Sequence, residues 1–441
     1  MRRGRGRVVR TPFFALTLAM RMSPTSSLLH NLLLAPPSVA VLPRKYTTAT
    51  AVETTTVRRR RARPHWDRCH SDSMLTLGGR GSSRTTRAGV RSGPEPDIRG
   101  LCASAATTAL SFPHTAVVDR PPLTHEQLPE ESMYLLDGTS MLFRAFYGRG
   151  AGGYLSSNGA TEVGAVLAMG IEFAQFINEV KPRYIAMAFD VKRETTFRRK
   201  LFPPYKAQRK PVPVDLTLQI PLARALSEAL GCRTFAMEGY EADDVMASLA
   251  RWGRSVGLGV VVCSSDKDMC QLVRERVHVM QPRSNGYAIF GDEEVLAKFG
   301  VKPASLPDLF GLVGDAADNI PGVKGIGQKG GSRLLEKFQT LEGIFAGLEG
   351  VGSMGIRGSK ALQASLSQPG VREEAMLYRE IATLDDEVPL DGFDTLTSSD
   401  FLYRGASPEA EGVMSVLGFH APLRMIQEGS TRPSAATASV F

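Results

Sequence analysis

The sequence predicts an α/β domain built on parallel strands, followed by a smaller and mostly helical unit. Three observations lead there. From about residue 132, apolar runs alternate with stretches of helical periodicity. The runs MYLLD (133–137), RYIAMAFD (183–190) and GVVVCSSDKD (259–268) read as buried strands, and each delivers an acid at its carboxyl end. After about residue 300 the strand signal fades, and short helices with Gly-rich turns take over.

Taken in order, the front end comes first. The net charge of +8 is unevenly spread. Residues 1–100 hold 19 Lys plus Arg against 5 Asp plus Glu, whereas the other 341 hold 34 against 40. Residues 1–52 contain no acid and carry Arg2, Arg3, Arg5, Arg7, Arg10 and Arg21 among Ser, Thr, Leu and Ala. That is the composition of an organelle transit peptide for a mitochondrion or a plastid. The uncharged stretch Thr11–Met20 also allows a bipartite signal, and a basic nucleic-acid-binding arm is the competing explanation. Residues 1–128 are therefore expected to be presequence and disordered linker, with ordered structure beginning near Ser132.

Composition bounds the rest. With 441 residues, 43% hydrophobic and 22% charged, the chain can fill two or three cored units, and wholesale disorder is excluded. Five cysteines without a C-x-x-C spacing argue against a disulfide framework or a zinc ribbon. No run of about 18 apolar residues offers a membrane span. Between the strands, amphipathic stretches near 162–180, 215–230 and 241–253 predict helices.

Functional groups in an open α/β sheet collect outside the carboxyl ends of its strands. Nine acids fall in five clusters: Asp137; Asp190; Glu241, Asp243 and Asp244; Asp266 and Asp268; Asp315 and Asp318. Singly, each passes as a helix cap, a turn or a solvated helix face. Gathered by the fold, they would repel one another by several kcal/mol unless cations neutralised them. Oxygen donors without His or Cys select magnesium or manganese over zinc. Two such ions about 4 Å apart suit in-line phosphodiester cleavage.

Two further segments point to nucleic acid. Residues 192–210 (KRETTFRRKLFPPYKAQRK) hold eight basic residues, among them Arg193, Arg198, Arg199, Lys206 and Arg209, against one acid. Phe197, Phe202 and Tyr205 are interleaved with them, and that mixture grips a single strand through phosphate contacts and stacking. In IPGVKGIGQKGGSRLLEKF (320–338) a Gly-rich turn with Lys324 and Lys329 opens a helix, exposing amides that can hold a phosphate. It is not a Walker A loop.

Five strings in fixed order then carry a resemblance: LLDGTSMLFRAF, AFDVKRETTFRRKLFPPYKAQR, EGYEADDV, SSDKDMCQLV and GDAADNIPGVKGIG. Together they closely resemble the 5′-nuclease domain at the front of bacterial DNA polymerase I and its stand-alone flap-endonuclease relatives, over residues 132–427. The resemblance implies a PIN-like (resolvase-like) domain with a parallel sheet and a helical arch, then a helix-three-turn-helix module. The expected divisions are 129–300 for the catalytic domain, 301–390 for the module, 391–427 for a C-terminal extension and 428–441 for a disordered tail.

By position, the resemblance implies that Asp137, Asp190, Glu241 and Asp243 are ligands of a first metal, with Asp244 close by. Asp266, Asp268, Asp315 and Asp318 fall to a second, and Asp137, Asp190, Asp266 and Lys206 form the catalytic set. Lys206 matches an arch lysine that reaches the scissile phosphate. Arg198, Tyr205 and Arg209 match arch residues that steer and stack the 5′ strand, and Arg144 an arginine near the active site. The turn through Gly322, Gly325 and Gly327 matches a hairpin that holds duplex DNA through backbone amides, with a potassium ion.

The implied activity is a metal-dependent 5′-3′ exonuclease and flap endonuclease using two Mg2+ (or Mn2+). Its substrates are DNA with 5′ flaps, nicks or ends and RNA–DNA primer junctions. It is expected to work as a monomer, away from membranes and, given the composition of the front end, beside an organellar DNA polymerase. A PIN-like ribonuclease is the alternative, and a non-catalytic flap-binding factor would have lost ligands that this chain retains. Departures from the family pattern are Ser265 for Gly, Met141 and Phe143 for tyrosines, and Gln328 with Gly330 and Gly331 in the second hairpin helix, where Gly costs helix stability.

Overall fold

The structure, a computed structural model, describes residues 123–431 except 149–152, 284–285, 356 and 391. The expected transit peptide therefore lies outside the described residues.

Six strands form one sheet: β1 (Ser132–Asp137), β2 (Tyr184–Ala188), β3 (Arg233–Phe235), β4 (Gly259–Cys263), β5 (Val277–Arg283) and β6 (Gly286–Phe290). Their order is β3-β2-β1-β4-β5-β6, parallel throughout except for the β5–β6 hairpin. β1 is central, and all six of its residues are buried. That is why it reads as a continuous apolar run rather than an alternating one. Its register sets Asp137 opposite Ala188 and Leu136 opposite Cys263, which brings the carboxyl ends of three strands side by side.

Alternate strand residues feed two cores. Met133, Leu135, Ala186, Val260 and Val262 point to one face, where α5 (Ala242–Ser255) packs. Tyr134, Leu136, Ile185, Met187 and Val261 point to the other, covered by α1 (Gly138–Tyr147), α2 (Gly164–Val180) and α4 (Val214–Ala229). Between β2 and α4 lies the five-residue α3 (Phe197–Leu201). The buried Gln219 of α4 caps α2, its Oε1 accepting from the N–H groups of Ala165 and Val166 at 3.0 and 3.3 Å. Three helices near the predicted places agree with the sequence reading, as do three strands, of which β1 ends at Asp137 while β2 and β4 stop two and three residues short of Asp190 and Asp266. β3, β5 and β6 are additions to it.

Beyond β6 the described chain is helical: α6 (Asp292–Phe299), α7 (Leu306–Val313), α8 (Gln328–Phe338), α9 (Leu341–Ala346), α10 (Ser359–Leu366) and α11 (Val371–Ala382). α11 packs along α7. Gly331 has a packing role that its helix propensity hides: a Cβ there would lie 2.9 Å from Leu309 and 3.0 Å from Val313, so glycine lets α8 close on α7. The last helices, α12 (Ala410–Leu417) and α13 (Ala421–Thr431), return to pack on α4 and α2.

Both ends of the folded region differ from expectation. Leu123 bridges Ile289 on the outer edge of β6, His125 Nε2 lies 2.7 Å from the Tyr134 hydroxyl, and Leu128 is buried, so the last residues of the expected linker belong to the fold. At the other end, residues 428–431 of the expected tail continue α13.

Candidate active site

The site is built where strands stop. Asp137, the last residue of β1, caps α1: its Oδ1 accepts from Ser140 N at 2.8 Å, and its Oδ2 accepts from Ser264 Oγ at 2.8 Å. Asp190 follows β2 by two residues. Its N–H donates to Thr139 Oγ1, and its Oδ1 accepts from Ala242 N, both at 2.8 Å. That second bond ties it to the amino end of α5, where Glu241 is the cap and Asp243 lies in the first turn. Asp266 and Asp268 leave β4 on a turn in which Asp266 Oδ1 accepts from Asp268 N at 2.9 Å. The helical module contributes Asp315 and Asp318 from the turn after α7, held by reciprocal backbone bonds between Asp315 and Ile320.

These eight carboxylates converge, and the proton affinities of six of them show it. Burial pushes Asp137 up to about 6, with repulsion from Asp190 and Asp266 adding to it against the hydrogen bonds from Ser140 and Ser264. Burial, then Asp266, pushes Asp243 and Asp268 well above the usual carboxylate range. Burial and Glu241 raise Asp190. Burial also raises Asp318, where with Asp315 it outweighs the nearby Lys206 and Arg209. Glu241 goes the other way: burial pushes it up, but Lys206 and Arg198 together hold it below the ordinary value. Asp266 faces acids of both predicted groups and stands between them.

The chain supplies its own cations. Lys206 Nζ sits 2.8 Å from Glu241 Oε1 and 3.5 Å from Asp318 Oδ2, and only 8% of its side chain is exposed. Arg209 pairs with Asp318 at 2.5 Å, and Lys267 with Asp315 at 2.5 Å. Tyr205 donates its hydroxyl to Glu241 at 2.8 Å and Asp318 at 3.1 Å. Lys206 holds a left-handed backbone (φ +52), and its N–H donates to the Asp318 carbonyl at 2.9 Å. The segment from Pro204 to Arg209 is thus seated on the turn 316–319, helped by Asn319 and Gln208.

The residues suit a hard divalent cation. Asp268, Asp315 and Asp318 each offer an oxygen within 4.8 Å of the others. Asp268 Oδ1 is buried and has no hydrogen-bond partner, an arrangement that costs free energy unless something positive meets it. The donors are all oxygen, the set preferred by magnesium, manganese or calcium.

Three expected roles are corrected by this geometry. Arg198, expected on the DNA strand, is 2% exposed and spends its donors internally on Asp244, Ile381 O and Thr383 O. Asp244, expected near the first metal, is fully buried, and its oxygens accept from Arg198, Glu241 N and Asp385 N, so none faces the acid cluster free. Tyr205, expected to stack on a base, is 3% exposed with its ring against Lys206.

The other predicted binding residues are peripheral to the acids. Arg144 is half-buried and pairs with Glu172 and Ser140 Oγ. Arg199 is half-buried on α3, and the side chain of Arg193 lies outside the described residues. Lys324 and Lys329 are exposed around a turn in which Gly322 (φ +69) and Gly325 (φ +84) take left-handed backbone, and Gly327 caps α8. Lys267 and Ser264 were missed. Lys267 stands between two predicted ligands in the sequence, which was the available signal, whereas nothing local marks Ser264.

Comparison with known proteins finds matches over both the sheet domain and the helical module. Residues 132–300 match the profile of the 5′-3′ exonuclease N-terminal resolvase-like domain, and residues 301–401 that of the 5′-3′ exonuclease C-terminal SAM fold. A protein named 5′-3′ exonuclease from Aquifex aeolicus is 35% identical over 219 residues, covering 50% of this chain and 74% of its own length. The DNA polymerase I of Bacillus subtilis is 31% identical over 303 residues, 68% of this chain but 33% of that polymerase. This chain thus spans about a third of such polymerases. A solved structure of T5 5′-exonuclease with zinc is 18% identical and covers 68% of this chain and 98% of its own, with a TM-score of 0.45.

Proposed function

The chain belongs to the 5′-3′ exonuclease family, and on that premise we propose that it is a structure-specific 5′-nuclease that hydrolyses phosphodiester bonds at 5′ ends and flaps. The observation that carries this reading is the gathering of eight carboxylates from five chain segments at one sheet edge, with a buried oxygen of Asp268 left unpartnered. Two Mg2+ or Mn2+ ions are the proposed cofactors, one held among Asp137, Asp190, Glu241 and Asp243 and the other among Asp268, Asp315 and Asp318, with Asp266 between. Bound there, such ions supply an activated water and charge stabilisation at the attacking and leaving oxygens.

The remaining roles belong to the chain. Lys206 is a buried ammonium set against acids of both proposed metal sites, and its charge is available to a scissile phosphate once divalent cations satisfy Glu241 and Asp318. Tyr205 keeps those two carboxylates in place through its hydroxyl. The turn from Gly322 to Gly327, with Lys324 and Lys329 exposed beside it, offers backbone amides to a duplex and is the proposed place for a potassium ion. The Arg-rich, acid-free front supports import into a mitochondrion or plastid. Removal of RNA primers during DNA replication beside an organellar polymerase is the proposed setting.

The test uses the full chain with magnesium on a 5′-labelled flap duplex and on a matched single-stranded RNA, with Asp266→Ala alongside. Cleavage near the flap junction, lost in the variant, is the expected result. Cleavage of the RNA alone would make the protein a ribonuclease, and a flap bound but uncut by both proteins would overturn the catalytic reading.

A further inference from the structure

The buried pair Arg198–Asp244 joins the ends of two helices. Asp244 is the third residue of α5, and its Oδ2 accepts from the cap N–H of Glu241 at 3.1 Å. Arg198 lies at the other side, against the carboxyl end of α11. Its Nε donates to Ile381 O and its Nη2 to Thr383 O, both at 2.7 Å. Ile381 lies in the last turn of α11 and Thr383 is the cap residue just past it, so neither carbonyl has a partner within the helix. Two parallel bonds of 2.6 Å then join guanidinium to carboxylate. The charges are placed as the helix dipoles favour, a carboxylate at an amino end and a guanidinium at a carboxyl end.

Around this pair the chain from 381 to 388 is laid along α5. Asp385 N donates to Asp244 Oδ1 at 2.9 Å, Val388 N donates to Ser248 Oγ at 2.9 Å, and Gln271 Nε2 donates to Ala382 O at 2.8 Å. On the other side Arg198 belongs to α3, the start of the segment that ends in Tyr205 and Lys206. One guanidinium therefore references three parts of the molecule to each other: the helix carrying Glu241 and Asp243, the segment carrying Lys206, and the module carrying Asp315 and Asp318.

We propose that Arg198 and Asp244 are positioning residues, a lock that fixes Glu241 and Asp243 to the carboxyl end of α11 so that helical module and catalytic carboxylates keep one geometry. A buried ion pair contributes little net stability compared with a well-packed apolar pair of similar size. Its directional bonds are what an apolar pair could not supply. Lysine in place of Arg198 cannot form the two parallel bonds and reach both carbonyls. The lock rests on the reading above, that these carboxylates hold the cations.

Full-length wild type, Arg198→Lys and Asp244→Asn are compared with Arg379→Ala. Arg379 ties α11 to Asp308 and Glu342 outside the lock, so its loss lowers stability without touching the lock. Mn2+ binding is measured by electron paramagnetic resonance without DNA, and kcat and KM are measured on the flap duplex below the lowest melting temperature of the set.

Arg198→Lys and Asp244→Asn should each lose about tenfold or more in Mn2+ affinity and in kcat with KM nearly unchanged, as removal of a partner that orients metal ligands does. Arg379→Ala should melt earlier yet bind and turn over as wild type. Wild-type Mn2+ affinity and kcat in both lock variants would overturn the proposal. So would a rise in KM alone, which would return Arg198 to the DNA. If Arg198→Lys does not fold, the near-isosteric Asp244→Asn decides. A wild type that binds Mn2+ but leaves the flap uncut would remove the nuclease reading, and the Mn2+ measurement would still judge the lock.

Discussion

Lys206→Met separates the two roles assigned to that lysine. In the structure its ammonium faces Glu241 at 2.8 Å and Asp318 at 3.5 Å. At an effective dielectric of about 20 those contacts are worth roughly 6 and 5 kcal/mol. Much of that repays the desolvation of a buried ammonium, so removing one partner of such a pair costs about 3–5 kcal/mol. Glu241 keeps the Tyr205 hydroxyl and Asp318 keeps Arg209, which favours the lower figure. Scanning calorimetry in EDTA should therefore show the variant melting about 10 °C below wild type.

Saturating magnesium changes the comparison. A divalent cation offers the same carboxylates another counter-charge, and it binds the variant more tightly because no lysine competes. The gap in melting temperature should shrink to less than half, while flap cleavage stays depressed at least about tenfold for want of the ammonium at the phosphate. An equal gap with and without magnesium would refute the idea that lysine and metal share one seat. No gap in EDTA would refute the structural role.

Other perturbations have opposite signs in stability and activity. Asp268→Asn removes a buried charge that Asp266 repels, so the metal-free protein should gain about 1 kcal/mol in denaturant melts while Mn2+ affinity falls by about tenfold or more. The acids raised in the fold bind protons more tightly folded than unfolded, and the stability they contribute is present at low pH and lost as pH rises. For Asp137 the window runs from its ordinary 3.8 to about 6. Metal-free protein should thus melt higher at the acidic side of that window than at neutral pH, and magnesium should reverse the order. Gly331→Ala should destabilise by about 1 kcal/mol, because contacts at 2.9 and 3.0 Å outweigh the helix-propensity gain. Gly412→Ala, exposed on α12 with open space around its Cβ, should instead stabilise by about 0.5–1 kcal/mol, and a urea titration measures both variants.

The strands that carry the acids were legible because burial on both faces makes them unbroken apolar runs, and each run ends at its Asp. β3 is three residues long and partly exposed, and the β5–β6 hairpin carries Pro282 and polar residues, so neither has a pattern that distinguishes it from a loop. Clustering of the acids followed from strand polarity, and only the fold could bring Asp315 and Asp318 to the same edge. Arg198 and Asp244 were misread for a physical reason. A basic residue in a basic run looks solvated, and an acid in an acidic run looks like a ligand. Their partnership spans 46 positions, which no local spacing encodes. Gly331 was read as a defect because propensity is a property of one helix, whereas its value lies in the distance between two.

The single bridge at Leu123 bears on where this protein can be cut. β6 is the outer strand of the sheet, and its far side meets the chain again at Leu123. A protein trimmed to the point where apolar periodicity begins would lose that cover along with the His125–Tyr134 bond. Its edge would present unpaired N–H and C=O groups to a second copy, the usual route to strand addition and aggregation. Any cut that keeps the Leu123 bridge and the His125–Tyr134 bond therefore lies upstream of Leu123, several residues earlier than the sequence pattern suggests, and the same limit applies to a shortened form made for expression.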